Sequence, residues 1–320
     1  MLTSQLVKEY ARQCGADLVG IASMDRFEGA PKQMDPRYIQ PDAKAMIVLG
    51  FRILRGALRG IEEGTFFVAY SGMGYAGINH VLQPMTLWGL SRMIEDHGYE
   101  AVPIPNNFPW NNTDVSGNDP ARTGLARDGF SRPVTPDRPA PDVFIHMRIA
   151  AFCAGLGEIG YSKVFLTPEY GPRQRFAAVL TDAPLEPDPL FEGQLCDRCM
   201  ACVRDCSGNA ISTDRTVKVK VAGRDLEWGE IDYEKCSRAF CGGAEEANPF
   251  MVTPEDKVGF NQPVGQAQQY KLGSVYDYGR ALEGGRGCIR ACMVHLEERG
   301  KLSNTFEQPF RRRKPWRLTP

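Results

Sequence analysis

The sequence predicts a protein that mixes helices with strands and consists of two parts. In residues 1–190, apolar stretches of strand length alternate with amphipathic helical stretches. Prolines in L-E-P-D-P-L (185–190) then mark a boundary. The second part, 191–305, carries most of the cysteines and is predicted to be a smaller module, followed by a basic tail at 306–320. A chain of 320 residues is long enough for one substantial core and one such module.

The elements of the first part follow from its periodicity and its helix breakers. Ser4 is expected to cap a first helix that turns Cys14 toward the core. A long amphipathic helix is predicted at 78–97, closed by Gly98, with Pro84 in its first turns or at a kink. Buried strands are predicted at 17–22, 45–51, 99–103 and 175–182.

Two long segments and one hairpin complete this outline. Residues 104–142 are dense in Pro, Asn, Asp and Gly but include two aromatic residues, and a loop of this length either binds something or is disordered. Alternation in 217–228 predicts a hairpin that exposes Lys218 and Lys220. The insertion at 242–287 is interpreted as a lid or docking surface. We expect the substrate pocket to draw on both long segments.

Composition describes an ordinary soluble protein, with 42% hydrophobic residues, 24% charged residues and a net charge of −1. No apolar stretch reaches the roughly 18 residues needed to span a bilayer, so no membrane span is expected. With no export signal visible at the N-terminus, we expect a cytoplasmic location. The tail carries Arg311, Arg312, Arg313, Lys314 and Arg317. Such a tail is usually solvated, which makes nucleic acid an improbable partner but leaves contact with tRNA open.

The cysteine run C-D-R-C-M-A-C-V-R-D-C (196–206) is the most informative motif. Its C-x2-C-x2-C-x3-C spacing lets a loop and the following helix hold an iron–sulfur cube. Apart from the isolated Cys14 and Cys153, eight cysteines remain, which is the number that two 4Fe-4S clusters require. The predicted metal ligands are Cys196, Cys199, Cys202, Cys206, Cys236, Cys241, Cys288 and Cys292.

The pairing of these ligands is predicted by the crossed rule of two-cluster ferredoxins. By that rule, Cys292 completes the cluster held by the first three cysteines of the run, and Cys206 joins Cys236, Cys241 and Cys288. Structural zinc is an alternative, although zinc sites favour two C-x2-C pairs. Disulfides are a further alternative, disfavoured in a reducing compartment.

A glycine motif in the first part formally matches a dinucleotide-binding fingerprint. Gly155, Gly157 and Gly160 spell G-L-G-E-I-G, with Asp182 about twenty residues later. That fingerprint needs a helix to start within the glycines, but prolines follow too soon for one to form. We therefore reject nicotinamide binding and expect the glycines to allow close approach of another chain segment or of a planar ligand.

Several motifs together resemble the reductive dehalogenase and epoxyqueuosine reductase superfamily. They are A-G-L-G-E-I-G-Y-S-K-V-F-L-T-P-E-Y-G-P (154–172) running into the cysteine motif, Y-A-R-Q-C-G-A-D-L-V-G-I-A (10–22) and H-G-Y-E-A-V-P-I-P-N-N (97–107). The resemblance implies an α+β, nitroreductase-like domain that binds a base-off cobalamin. It also implies a ferredoxin-like module with two 4Fe-4S clusters packed against that domain.

The resemblance also suggests site residues. Asp142 lies near the position of the acid in epoxyqueuosine reductases, and the tyrosine and basic residue of dehalogenases have candidates in Tyr75 and Lys163. Other candidates are Tyr70, His146 and Arg148. Corrinoid contacts are expected from Gly155, Gly157, Gly160 and Lys163. No D-x-H-x2-G run is present, so a histidine-ligated corrinoid is not expected.

The chain also departs from the superfamily pattern. Ser207 replaces the proline that usually follows the fourth cysteine, and Gly285 and Met293 interrupt the second cysteine motif. We therefore expect a divergent subfamily of oxidoreductase that passes electrons from a ferredoxin or flavodoxin through its clusters to cobalamin, and so to a small organic substrate. The alternative is an iron–sulfur electron-transfer protein that reductively activates a corrinoid protein.

Overall fold

The structure is a computed structural model, and it describes residues 1–63, 65–66, 69–105, 133–139, 143–240 and 287–310. Its helices are α1 (Ser4–Gln13), α2 (Arg55–Glu63), α3 (Gln83–Asp96), α4 (Met147–Cys153), α5 (Ala201–Arg204), α6 (Tyr233–Phe240) and α7 (Cys288–Glu298). A π-helix spans Ala69–Leu82, and short 3₁₀ turns lie at Met24–Phe27, Lys32–Met34 and Pro36–Tyr38. Its strands are β1 (Leu18–Ser23), β2 (Ala45–Arg52), β3 (Ala101–Ile104), β4 (Glu158–Ile159), β5 (Phe165–Leu166), β6 (Gln174–Thr181), β7 (Ile211–Val221) and β8 (Arg224–Ile231).

A four-stranded antiparallel sheet of order β1-β2-β6-β3 organises the first part of the chain. In β2, Ile47 and Leu49 face one hydrophobic cluster, whereas Met46 and Val48 face another. Because both faces are covered, the strand is apolar throughout instead of alternating with polar residues. The four predicted strands agree with the observed ones to within two residues at each end.

The predicted helices are present, with corrections at their N-termini. Thr3, and not Ser4, caps α1, because its side chain accepts a hydrogen bond from the backbone N–H of Leu6. Ser4 is the first helical residue, and its hydroxyl donates to the carbonyl of Glu186 instead. The predicted helix at 78–97 starts earlier, as the π-helix, and becomes α-helical at Gln83. Pro84 lies at that transition, in the first turn of α3, where its missing N–H removes no α-helical bond.

The second part contains a hairpin that packs back on the first part. Strands β7 and β8 are joined by a two-residue turn, Ala222 and Gly223, whose φ angles of +48° and +76° are those of a tight hairpin turn. Lys218 and Lys220 are exposed, as predicted. Trp228 of β8 is only 1% exposed and belongs to the hydrophobic cluster on the Met46 face of the sheet.

The C-terminal segment also contributes to the main core. Met293 and Leu296 of α7, and then Leu302 and Phe310, pack in the same hydrophobic cluster as β1 and β2. The structure describes residues 306–310 of the predicted tail, and the last of these, Phe310, is buried. The division into units at residue 190 stays a prediction. No helix in the described parts of the chain is long and apolar enough to cross a bilayer.

Candidate metal centre and the cavity beside it

The cysteine run 196–206 folds as a wound loop that leads into one helical turn. Arg198 and Met200 both have left-handed backbone conformations, with φ angles of +58° and +60°. These two reversals coil the loop around a small volume, and Met200 precedes the single turn of α5, on which Cys202 is buried. The local conformation is therefore suited to turning several sulfur atoms toward one point.

Two distant helices bring three further cysteines to this loop. Cys236 lies on α6, whereas Cys288 and Cys292 lie one turn apart on the same face of α7. All three pack in one cluster with Cys202 and Cys206 of the run. Cys199 lies beside His295 of α7. The structure thus brings seven of the eight predicted ligands together, and the eighth, Cys241, lies outside the described residues.

The thiols raise one another's pKa values. Burial, together with Cys196 and Cys199, raises the pKa of Cys202 to about 11. Burial also raises the pKa of Cys292, and the thiols of Cys202 and Cys288 raise it further. The pKa of Cys288 is raised by burial and then by Cys236, Cys206 and Cys202. These effects cross between the two predicted ligand sets, so the pairing stays a prediction.

The chemistry of this donor set fits iron–sulfur clusters. Buried thiols that hinder one another's ionisation are unfavourable neighbours unless a cation neutralises their thiolates, as cluster iron does. Two backbone amides already point at sulfur: Tyr161 N–H lies 3.3 Å from Cys196 Sγ, and Ala210 N–H lies 3.3 Å from Cys206 Sγ. Such N–H···S bonds stabilise added negative charge and so raise a cluster's reduction potential.

A buried ion pair anchors the helix that carries Cys288 and Cys292. Arg290 of α7 lies 3.0 Å from Glu62 of α2, and the two side chains are 6% and 5% exposed. The same guanidinium lies 3.4 Å from Asp205, which precedes Cys206. The sequence analysis did not identify this pair. A sequence signal for Arg290 was available, because this charged residue lies between the predicted ligands Cys288 and Cys292 on one helix.

A second polar group surrounds Cys199. Ligand atoms of Asp197, Cys199 and His295 lie within 4.8 Å of one another. His295 Nε2 is 2.9 Å from Asp197, and Arg299 is 3.3 Å from the same carboxylate. Burial alone would raise the pKa of Asp197, but the hydrogen bond and charge of His295 lower it. Since His295 and Arg299 already hold this carboxylate, we interpret the group as support for the Cys199 loop.

A cavity of about 150 Å³ lies between the sheet and the cysteine-bearing helices. Its walls include Tyr75, His146, Arg148, Arg175, Phe240 and Ile289. Ile289 directly follows Cys288, so the cavity reaches the helix that carries Cys288 and Cys292.

Tyr75, a predicted catalytic residue, forms part of this wall. Its ring packs against Phe240 at 5.7 Å between centroids, and the Arg175 guanidinium lies 4.0 Å from its ring centroid. Asp142, the other predicted catalytic residue, lies outside the described residues. Catalytic roles for both stay predictions.

Lys163 is fully buried close to the same helices. Its backbone is left-handed, with φ +62°, and its Nζ donates to the Tyr233 hydroxyl at 2.6 Å. Its carbonyl accepts from Arg148 at 2.7 Å. Tyr233 begins α6, which carries Cys236 one turn later. Lys163 therefore connects the glycine segment to the helix that carries Cys236 through Tyr233, a residue that the sequence analysis did not identify.

The three glycines predicted to contact the corrinoid have structural roles of their own. A Cβ on Gly155 would lie 2.1 Å from the carbonyl of Pro189, and a Cβ on Gly157 would lie 2.0 Å from that of Leu166. Gly160 is less crowded, with Leu166 at 3.1 Å. In this described segment β4 lies between Gly157 and Gly160, β5 follows, and no helix starts within the glycines. Corrinoid contact by these glycines stays a prediction.

Sequence comparison with known proteins identifies relatives over part of the chain. No family model matches it. The tetrachloroethene reductive dehalogenase of Sulfurospirillum multivorans is 34% identical over 110 residues, covering 30% of this chain and 22% of that protein. The enzyme of the same name from Desulfitobacterium hafniense is 37% identical over 117 residues, covering 33% and 21%. The chain thus spans about a fifth of the length of the curated relatives it matches.

Solved structures give weaker likenesses. A catabolic reductive dehalogenase is 20% identical, covering 73% of this chain and 28% of that one with a TM-score of 0.48. An epoxyqueuosine reductase from Bacillus subtilis is 15% identical, covering 94% and 76% with a TM-score of 0.43. Scores at this level establish no fold. The curated relatives, in contrast, confirm the predicted resemblance over about a third of the chain, where it is similar to tetrachloroethene reductive dehalogenases.

Proposed function

We propose that this protein is an iron–sulfur reductase that depends on a corrinoid and acts on a small organic substrate. The observation that carries the proposal is the convergence of seven described cysteines, from three separate segments, beside a cavity. Relatives named tetrachloroethene reductive dehalogenases support the same class of chemistry.

The cysteines would hold two 4Fe-4S clusters in series. Cys206, Cys236, Cys241 and Cys288 would hold the cluster nearer the substrate, because Ile289, next to Cys288, lines the cavity. Cys292 would complete the outer cluster, which faces an external ferredoxin or flavodoxin. A bound corrinoid would supply the cobalt that passes these electrons to the substrate.

The described residues would supply one wall of a corrinoid site. The Tyr75 ring, stacked against Arg175, offers a flat surface, and Lys163 fixes the glycine segment through Tyr233. The cavity that the described residues line, about 150 Å³, is far too small for a corrinoid. The rest of a corrinoid site would come from residues outside those described.

That small volume favours a second candidate function. An iron–sulfur protein that delivers electrons to the corrinoid of another protein needs the same cysteines and no corrinoid cavity of its own. The two candidates differ in one measurable property, which is tight binding of cobalamin.

Metal analysis tests the proposal. Protein purified without oxygen and reconstituted with iron, sulfide and cobalamin is expected to contain about eight irons and about one cobalt per chain. Iron without cobalt would indicate the electron carrier, and zinc in place of both would refute both candidates. Cys202→Ala is expected to remove about four irons, because it deletes one cluster's ligand. Cys153→Ala, a buried thiol outside the centre, is the matched control and should keep all the iron.

A further inference from the structure

The outer face of the continuous helix formed by the π-helix and α3 is apolar. Val81, Met85 and Trp88 follow the i, i+4, i+7 spacing of one helical face, Leu82 adjoins them, and Met73 lies two π-helical turns earlier. These five side chains, here called the outer stripe, are between 47% and 70% exposed. No segment among the residues that the structure describes covers them.

The inner face of the same helix is fixed by its own packing. Leu87 and Leu90 belong to the hydrophobic cluster on the Ile47 face of the sheet. Gln83 donates to a backbone carbonyl of β6 at 3.2 Å, and the Thr86 hydroxyl donates to the carbonyl of the residue that ends α1 at 2.8 Å. Turning the outer stripe inward would break these bonds and expose the two leucines. The stripe is therefore exposed because the chain folds as it does.

Charge is absent from the outer stripe and from its neighbours along the chain. Residues 64–91 contain no aspartate, glutamate, lysine or arginine. Partial burial lowers the pKa of His80 from its ordinary 6.5, so this histidine is neutral at pH 7. A different protein is usually oriented by complementary charges, and a helix that binds anionic lipid carries Lys or Arg beside its apolar face. A second copy of an uncharged surface needs neither, because no like charges meet across a two-fold axis.

The area of the outer stripe matches the needs of a stable dimer. Trp88, 68% exposed, presents on the order of 150 Å². The other four side chains add about 60 Å² each, which brings the apolar area to about 400 Å² per copy. A standard interface buries about 800 Å² per partner, of which somewhat more than half is apolar. The stripe therefore supplies most of the apolar area of one such interface.

We propose that the outer stripe is the interface of a homodimer, in which two copies of this helix pair about a two-fold axis. In such a pairing, a stripe centred near Val81 brings Trp88 of one copy to the partner's Met73. Contacts between a thioether and an aromatic ring are favourable, and Gly77 leaves room for the indole. The proposal goes beyond the proposed function and is independent of it, because it uses no residue of the metal centre or of the cavity beside it.

Sedimentation velocity of the anaerobically reconstituted full chain tests the proposal. We expect twice the mass of one chain, with a Kd of about 1 μM or tighter, since interfaces of this size range from micromolar to picomolar. Val81→Glu should raise the Kd about hundredfold or more, because the axis brings two carboxylates together in an apolar interface. Val134→Glu, the same change at an exposed residue outside this helix, is the matched control and should leave the dimer intact.

Mixing two variants tests the two-fold symmetry. Val81→Glu and Val81→Lys should each be monomeric, and the mixture should form a heterodimer, because opposite charges then face each other. Val81 is 47% exposed in a single copy, so both variants should keep the fold, which circular dichroism would verify. Failure of the mixture to associate would contradict pairing about Val81.

Three other outcomes would overturn the proposal. An unsubstituted protein that stays monomeric at all concentrations would show that the outer stripe remains open or is covered within the chain. Binding of that monomer to phosphatidylglycerol vesicles, abolished by Val81→Glu, would assign the stripe to a lipid surface. A dimer that survives Val81→Glu would locate the interface elsewhere. The unsubstituted protein alone decides the first outcome, so a variant that misfolds does not remove the test.

Discussion

His146 makes stability depend on pH in a defined direction. Burial, together with the positive charges of Lys163 and Arg148, lowers the pKa of this imidazole in the folded protein. The unfolded chain therefore binds a proton below about pH 6.5 that the folded protein does not. The contribution to stability is fully present above that pH and is lost as the pH falls toward the lower pKa of the folded state.

Urea unfolding at pH 7.5 and pH 5.5 measures this effect. The free energy of unfolding should fall between the two pH values by up to about 1.4 kcal/mol for each pH unit below the unfolded pKa. His146→Asn should remove that part of the slope, and the exposed-site control His97→Asn should retain it. An unchanged slope in the His146 variant would show that this histidine is not held neutral.

At the scale of elements, α7 depends on a buried charge pair with α2. Glu62→Ala would leave Arg290 buried without its nearest carboxylate, and we expect a loss of about 3 kcal/mol in the free energy of unfolding. Asp205, at 3.4 Å, keeps the loss at the low end of the range for buried pairs. Denaturant titration with intact clusters is the measurement.

Two control variants accompany Glu62→Ala. Glu63→Ala removes the ion-pair partner of Arg59 on the same helix. Because Glu63 is more exposed than Glu62, this change should cost less than about 1 kcal/mol. The double variant Glu62→Leu, Arg290→Met replaces both charges by apolar side chains and should recover most of the lost stability. A loss in the double variant as large as in Glu62→Ala would indicate that α7 needs the charges themselves.

At the scale of the whole molecule, the two predicted parts share one core. Leu302 and Phe310 lie far along the chain from β1 and β2 but belong to the same hydrophobic cluster. A fragment of residues 1–190 would expose that surface, so we expect it to lose cooperative thermal unfolding. Co-expression with 191–320 should restore the transition. A chain ending at residue 310 is the control and should unfold like the full chain.

If the fragment 1–190 unfolded cooperatively by itself, the shared core would contribute little and the predicted boundary would also be a boundary of folding. Phe310→Ala gives a milder version of the same test. It should cost about 3 kcal/mol, because it empties a buried aromatic site.

The sequence by itself determined the local features. Strand positions follow from apolar stretches, and the coiled loop at 196–206 follows from cysteine spacing, because both depend on near neighbours along the chain. The N-cap of α1 was misplaced by one residue, since Thr3 and Ser4 have the same capping chemistry and only the bond to Leu6 distinguishes them.

Only the tertiary structure decided which distant groups meet. The pairing of Arg290 with Glu62 and the contact of Lys163 with Tyr233 join elements that are far apart in the chain. No hydrophobic periodicity or sequence motif encodes such contacts, because they depend on how the faces of helices and strands pack against one another. The sequence therefore determined which cysteines the chain has and how they are spaced, and the packing decided that seven of them meet beside a small cavity lined by two arginines.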